Sequence, residues 1–169
     1  MEDRRGPAHG GSRGPGVGRA EGRPWRNRSH GRSARFGRLD GMPIQLNHTV
    51  VAAGDAEAAA RWFADLFGVA APVPAGSFWQ IDTANGVSLD FASAGDEPIT
   101  AQHYAFLVSE AEFDQIHGRI LERGMDHWAD PGRHRPGEIN RRDGGRGVYF
   151  LNEDGHFLEI ITRPYGSGA

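Results

Sequence analysis

The sequence predicts an α+β fold: paired βαβββ modules forming a cup-shaped mixed sheet, with a disordered N-terminal tail. Three observations predict it. Two stretches of similar length repeat one order of strand, helix and three short strands. Each stretch carries a helix start signal, an apolar helical stripe and a glycine stop. The first forty residues show none of these features. A lone module of about 55 residues cannot cover both faces of its sheet, whereas two side by side can share one core. Helices outside a curved sheet then leave a concave cavity within it.

Charge separates the tail from the rest. Net charge is −3 over 169 residues, yet residues 1–40 hold ten Arg against four acidic residues. That segment also holds nine Gly, with Trp25 and Phe36 as isolated aromatics. It cannot bury enough apolar surface to offset its ordering entropy. Residues 1–42 are therefore expected to be a disordered Arg/Gly-rich extension, and Met42 stands where a compact protein would begin. No base-reading fold follows the tail, so nucleic-acid binding is not the expected role. The chain has no Cys, which excludes disulfides, thiolate metal sites and iron–sulfur clusters. It has no Lys, which removes Schiff-base and P-loop chemistry. It shows neither an 18-residue apolar run nor a signal-peptide core, and a cytoplasmic location is expected.

The compact domain is expected over residues 43–164, with module one at 43–93 and module two at 101–164. In module one, residues 44–52 (IQLNHTVVA) alternate as a strand with Leu46, His48 and Val50 on one face. Asp55 is the N-cap of a helix whose stripe is Ala59, Trp62, Phe63 and Leu66, and Gly68 is its C-cap. Strands follow at 70–72, 78–82 and 88–92, with a turn at Asn85-Gly86. In module two, residues 102–108 form the first strand. Ser109 and Glu112 form a capping box before a helix with Phe113, Ile116 and Ile120 on its stripe, ended by Gly124. Strands follow at 126–129, 147–151 and 156–162, with a turn at Asp154-Gly155. The segment SAGDEPITA has the polar, Gly/Pro character of a module boundary.

Aligning the halves places His48 opposite His103 and Asp90 opposite Glu159. Period-two geometry sets Glu159 between Phe157 and Ile161 on one face, where a carboxylate is costly unless paired or metal-bound. A lone strand His is often a satisfied core residue, and a lone inward acid often pairs with Arg. Their matching positions in two repeats instead favour His48, His103 and Glu159 as ligands of one divalent metal. Two imidazoles and one carboxylate leave coordination positions open for a small molecule. Asp90 has three open roles: a fourth ligand, a hydrogen-bond acceptor behind the ligands, or an Arg partner.

Those positions lie in LNHTVV, AQHYAFLV and DGHFLEII. With the paired-module plan they make residues 43–164 resemble the vicinal oxygen chelate superfamily of glyoxalases, bleomycin-binding proteins, fosfomycin-resistance proteins and extradiol dioxygenases. The stretch GMDHWADPGRHRPGEINRRDGGRGVYF at 124–150 resembles the ChaP-like branch, named for an oxygenase that cleaves an aromatic polyketide ring. The resemblance implies a metal-dependent extradiol-type dioxygenase, a non-haem Fe(II) oxidoreductase cleaving or oxidising a phenolic or polycyclic aromatic molecule with dioxygen. Mn, Zn or Ni are the other metals it admits, reduced flavin is an implied co-reactant, and a homodimer is the implied assembly. A glyoxalase-type metal-dependent lyase or isomerase is the alternative, and a non-enzymatic antibiotic-binding or small-molecule-binding protein is the third reading.

Residues 130–147 (DPGRHRPGEINRRDGGRG) interrupt module two with five Arg and one His. They read either as a solvated connection or as a lid whose Arg133, His134, Arg135, Arg141, Arg142 or Arg146 orients an oxygen-rich substrate. His134, Arg142 and Tyr149 are the catalytic candidates. His156 is a further acid–base candidate that strand parity turns away, and Tyr104 reads as either pocket or core.

Overall fold

The computed structural model describes residues 44–168, so the expected disordered extension at 1–42 lies outside the described residues. The element order is β1 (His48–Ala53), α1 (Ala56–Phe67), β2 (Val73–Ala75), β3 (Phe78–Asp82), β4 (Ser88–Ser93), β5 (His103–Leu107), α2 (Glu110–Glu122), β6 (His127–Trp128), β7 (Gly147–Leu151) and β8 (Phe157–Ile161). This is the βαβββ plan twice, in an α+β fold. Among the described residues no helix is long and apolar enough to cross a membrane.

Local chemistry sets the helix ends. Asp55 accepts from the Ala58 N–H, and Gly68 at φ 70° closes α1. Ser109 and Glu112 make the reciprocal capping box on α2. Three strand positions differ from expectation. The first strand begins at His48 rather than at residue 44. The second strand lies at Val73–Ala75 rather than 70–72, with Pro74 on a sheet edge where its missing N–H costs no ladder bond. The expected 126–129 strand shortens to His127–Trp128.

The expected single curved sheet is also corrected. Hydrogen bonding forms two four-stranded mixed sheets, ordered β1-β4-β3-β2 and β5-β8-β7-β6. Periodicity shows which residues share a face, but not which edges pair. The modules meet through helix faces. Phe63, Ala60 and Val51 centre one core, while Phe113, Ile116, Phe150 and Ile160 centre the other. Trp62, Phe67, Tyr104 and Phe106 pack against both. Phe106 packs edge-to-face with Phe63 and Phe67, at centroid separations of 5.3 and 4.9 Å. Leu66 of α1 is fully buried in the second core.

A polar clasp also joins the modules. The Gln102 N–H donates to His156 Nδ1 at 3.0 Å. That nitrogen is therefore the acceptor, and Nε2–H donates to the Ala52 carbonyl at 2.7 Å. Asp154 beside it accepts from the Gly54 N–H at 2.8 Å. His156 is fully buried with both ring nitrogens engaged, so it is a structural residue and not the acid–base group.

Register divides the second sheet into two faces. His103, Ala105 and Leu107 pair with Phe157, Glu159 and Ile161, and Glu159 pairs onward with Tyr149, whose other partner is Trp128. These side chains share one face. Tyr104, Phe106, Leu158, Ile160, Val148, Phe150 and His127 occupy the opposite, helix-covered face. There His127 meets His117 of α2, with ring centroids 5.3 Å apart. Neither Nε2 has a hydrogen-bond partner among the described residues.

Two outcomes follow from this packing. His156→Ala strands the Ala52 carbonyl and the Gln102 N–H, and urea denaturation should show a loss of about 2–4 kcal/mol. Burial, then His127, then Arg146 hold His117 below its ordinary 6.5. Below that pH the unfolded chain takes up a proton that the folded chain resists. The stability linked to His117 is therefore full above the unfolded value and lost as pH falls below it. Thermal melts between pH 7.5 and 5.5 should show this fall, with a shallower slope in His117→Gln.

Candidate active site

Glu159 lies mid-strand in β8 with 1% of its surface exposed. Its Oε2 is 3.2 Å from His103 Nε2, and the His103 side chain is 44% exposed. A buried acid thus meets an accessible imidazole at the open face of the sheet. Oε1 accepts a hydrogen bond from the Tyr165 hydroxyl. Because that proton points to the carboxylate, the 2.8 Å contact between the two phenols runs from Tyr149 O–H to Tyr165 oxygen. Burial, then the bonds to Tyr165 and Glu159, push the Tyr149 phenol well above its ordinary range. Burial and Glu159 push Tyr165 the same way. Both phenols are therefore neutral donors at physiological pH.

Aromatic rings surround this pair. Tyr149 and Phe157 each lie edge-on to His103, at 5.9 and 6.0 Å. Phe157 stacks with Tyr149 at 5.7 Å and with Trp128 at 6.2 Å. The Arg133 guanidinium covers Trp128 at 4.9 Å and Phe157 at 5.4 Å. Arg133 adopts φ 59°, a left-handed conformation costly for a side chain of this size.

Module one carries the same ladder offset. In β1 and β4 the acid Asp90 lies opposite Val50, two residues beyond His48. In β5 and β8 Glu159 lies opposite Ala105, two residues beyond His103. The shorter Asp90 instead accepts from the Gln80 amide at 2.7 Å, which gives it a partner that is not Arg. His48 is exposed and contacts the Asn47 side chain at 2.8 Å. Among the described residues no three His, Cys, Asp or Glu side chains gather in a group that could hold a metal. The fold of one chain brings together His103 and Glu159 and does not add His48.

The 130–147 segment is fastened at its base. Asn140 is buried, donates to the Ala129 carbonyl at 3.1 Å, and exchanges backbone bonds with Gly147. His134 bonds Asp130 at 2.8 Å with its side chain largely in solvent. Arg142 opens a short 3-10 turn (Arg142–Gly144), where its charge acts on Tyr165. Arg146 is not available to orient a substrate: it binds Glu110 and Asp114 of α2, each at 2.6 Å, and covers Phe113. Tyr104 packs in the core against His156. Sequence reasoning missed Tyr165, which lies beyond the last strand where no periodicity marks it. It also missed the stacking role of Arg133, which only the fold reveals.

The family model described as "Glyoxalase/Bleomycin resistance protein/Dioxygenase superfamily" matches residues 45–160. The solved structure of "Oxidase ChaP-H1" is 60% identical, with a TM-score of 0.71 over 73% of this chain and 99% of its own. "Oxidase ChaP-H2" is 56% identical, with a TM-score of 0.73 over 76% and 100%. "Metallothiol transferase FosB" of Shouchella clausii (strain KSM-K16) is 30% identical over 122 residues, 69% of this chain and 79% of its own length.

The two histidines should differ in their effect on folding. His103→Ala leaves Glu159 Oε2 buried without a partner, a cost of about 1–3 kcal/mol in metal-free protein. His48→Ala removes an exposed ring and should stay within about 0.5 kcal/mol of the parent. Guanidinium denaturation of both variants with chelator present measures the contrast.

Proposed function

This chain belongs to the glyoxalase/bleomycin resistance protein/dioxygenase superfamily, and from that premise we propose that it is a metal-dependent enzyme acting on a small, oxygen-rich molecule. The observation that carries this reading is the His103–Glu159 pair, a 3.2 Å imidazole–carboxylate contact on an open sheet face. The donor chemistry fits a divalent ion, but two donors are one short of a three-residue facial set. His48 supplies the third from a second copy of the chain. Around His48 the open face of module one is apolar, with Leu46 65% and Val50 50% exposed. Beside His103, Leu107 is 60% exposed. A homodimer that covers these side chains completes the donor set with the same stroke.

His103, Glu159 and His48 of the second copy would hold the ion, which would supply Lewis-acid activation of the substrate. The chain's own residues do the rest. Trp128, Phe157 and Tyr149 form an apolar wall that excludes water, with Arg133 lying over Trp128 and Phe157. Arg133 presents a planar cation to substrate oxygens. Tyr165 holds its proton at Glu159 Oε1, and Tyr149 holds its own at the Tyr165 oxygen. His134 and Arg142 remain candidates to meet the outer part of the substrate.

The reaction favoured is glyoxalase-type, a proton or group transfer on the chelated substrate without dioxygen. A curated relative that is a metallothiol transferase supports this reading over aromatic ring cleavage. The second reading is oxidation of a phenolic or polycyclic aromatic compound with Fe(II) and dioxygen, with reduced flavin as a co-reactant. It draws on two similar structures named as oxidases, a name that specifies oxidation and not ring opening.

Anaerobically purified protein loaded with Fe(II), Mn(II), Zn(II) or Ni(II) separates the readings. Oxygen-independent turnover of a glutathione hemithioacetal is the expected result. Oxygen uptake with a catechol by the Fe(II) form would transfer the assignment to the oxidase reading. Tight substrate binding with no product under any metal would leave sequestration. For the shared site, His48→Ala and Glu159→Ala chains should each be inactive alone. After mixing and reassociation they should regain about a quarter of parental activity, since half the random dimers then carry one intact site.

A further inference from the structure

Residues 162–168, beyond β8, return across the open sheet face and set Tyr165 against the carboxylate of Glu159. The path is built in. Thr162 exchanges bonds with Arg146 through its backbone N–H and its hydroxyl, both at 2.9 Å. The segment then follows the turn at residues 142–146 at distances that exclude side chains. A Cβ on Gly145 would lie 3.0 Å from Arg163 Cβ and from Thr162 Oγ1. A Cβ on Gly168 would lie 2.6 Å from Asp143 Cα. Between these close approaches, the Ser167 N–H returns to the Pro164 carbonyl at 3.2 Å and folds the chain around Tyr165. Tyr165 is 47% exposed, so it is not there to fill the core. Its hydroxyl is what is placed, on Glu159 Oε1, and that leaves Oε2 for His103.

We infer that Tyr165 is the positioning residue of the metal centre: seated by the 142–146 turn, it fixes the rotation of the Glu159 carboxylate so that Oε2 faces His103 and a shared cation. The inference rests on the metal-dependent reading above. A carboxylate on a strand can turn about its last torsion. Burial removes the water that would otherwise hold it, so one directional donor decides which oxygen is presented. Tyr149 serves the same end at one remove, by donating to the Tyr165 oxygen and keeping the Tyr165 proton directed at Glu159. The turn at residues 142–146 thus gains a role as the seat of the tail, in addition to any role over the substrate.

The full chain, stripped of metal, is titrated with Co(II), following heat by calorimetry and the visible d–d bands. Tyr165→Phe removes the hydroxyl and keeps the ring. It should weaken Co(II) binding about 10–100-fold and shift the bands, the range seen when a ligand's hydrogen-bond partner is lost. Gly168→Val leaves Tyr165 intact but displaces its seat, and should reproduce both changes. Tyr149→Phe should show a smaller version. Metal-free ¹⁵N spectra follow the His103 ring, whose Nε2 shift should move in Tyr165→Phe and Gly168→Val as Oε2 turns away. Unchanged affinity, bands and ring shift in Tyr165→Phe would overturn the inference. Tighter binding would overturn it too, because the hydroxyl would then be a competitor of the metal. If the parent chain takes up no Co(II), the metal-dependent reading fails, and the His103 ring shift still decides whether Tyr165 orients the carboxylate.

Discussion

A carboxylate 1% exposed in mid-strand has to be satisfied by whatever the fold brings to it, and the surroundings of Glu159 answer that demand. One oxygen takes His103 and the other takes Tyr165. The ladder supplies Tyr149 as direct register partner, and its phenol orients that of Tyr165. The acid remains presentable only because the opposite face of the same sheet is filled by α2 and by the aromatic residues shared with α1. Apolar packing on one side fixes the backbone, which leaves the other side free to carry polar chemistry.

The two modules resolve the same positions differently. Module two gives its acid an imidazole and a phenol, and the longer Glu reaches both. Module one has the equivalent ladder offset, but the shorter Asp90 takes the nearby Gln80 amide, and His48 is left at the surface. One methylene separates an acid that serves an open face from one that is satisfied within its own sheet.

The repeat, the capping residues and the pairing of His103 with Glu159 were legible because each rests on local spacing. Ser109 and Glu112 are three apart, Asp55 precedes an apolar stripe, and the His and acid recur at matching points of two similar segments. What was not legible depends on how elements dock. Leu46 and Val50 alternate as a buried strand face would, yet they point to solvent, since alternation identifies a face and not what covers it. Trp62 and Phe67 serve two cores, which no single helical stripe announces. Arg146 reads as a substrate group among five loop arginines until Glu110 and Asp114 of α2 are seen to hold it. Tyr165 follows the final strand in a short polar stretch, and only the close approaches at Gly145 and Gly168 give it an address.

The bond from His156 to Ala52 closes a span of 104 residues. Closing so long a loop has an entropic cost that the native contacts on either side of it must offset. During synthesis the first four strands leave the ribosome well before the imidazole that ties down the strand of His48. That strand stays an unlatched edge until the final hairpin arrives.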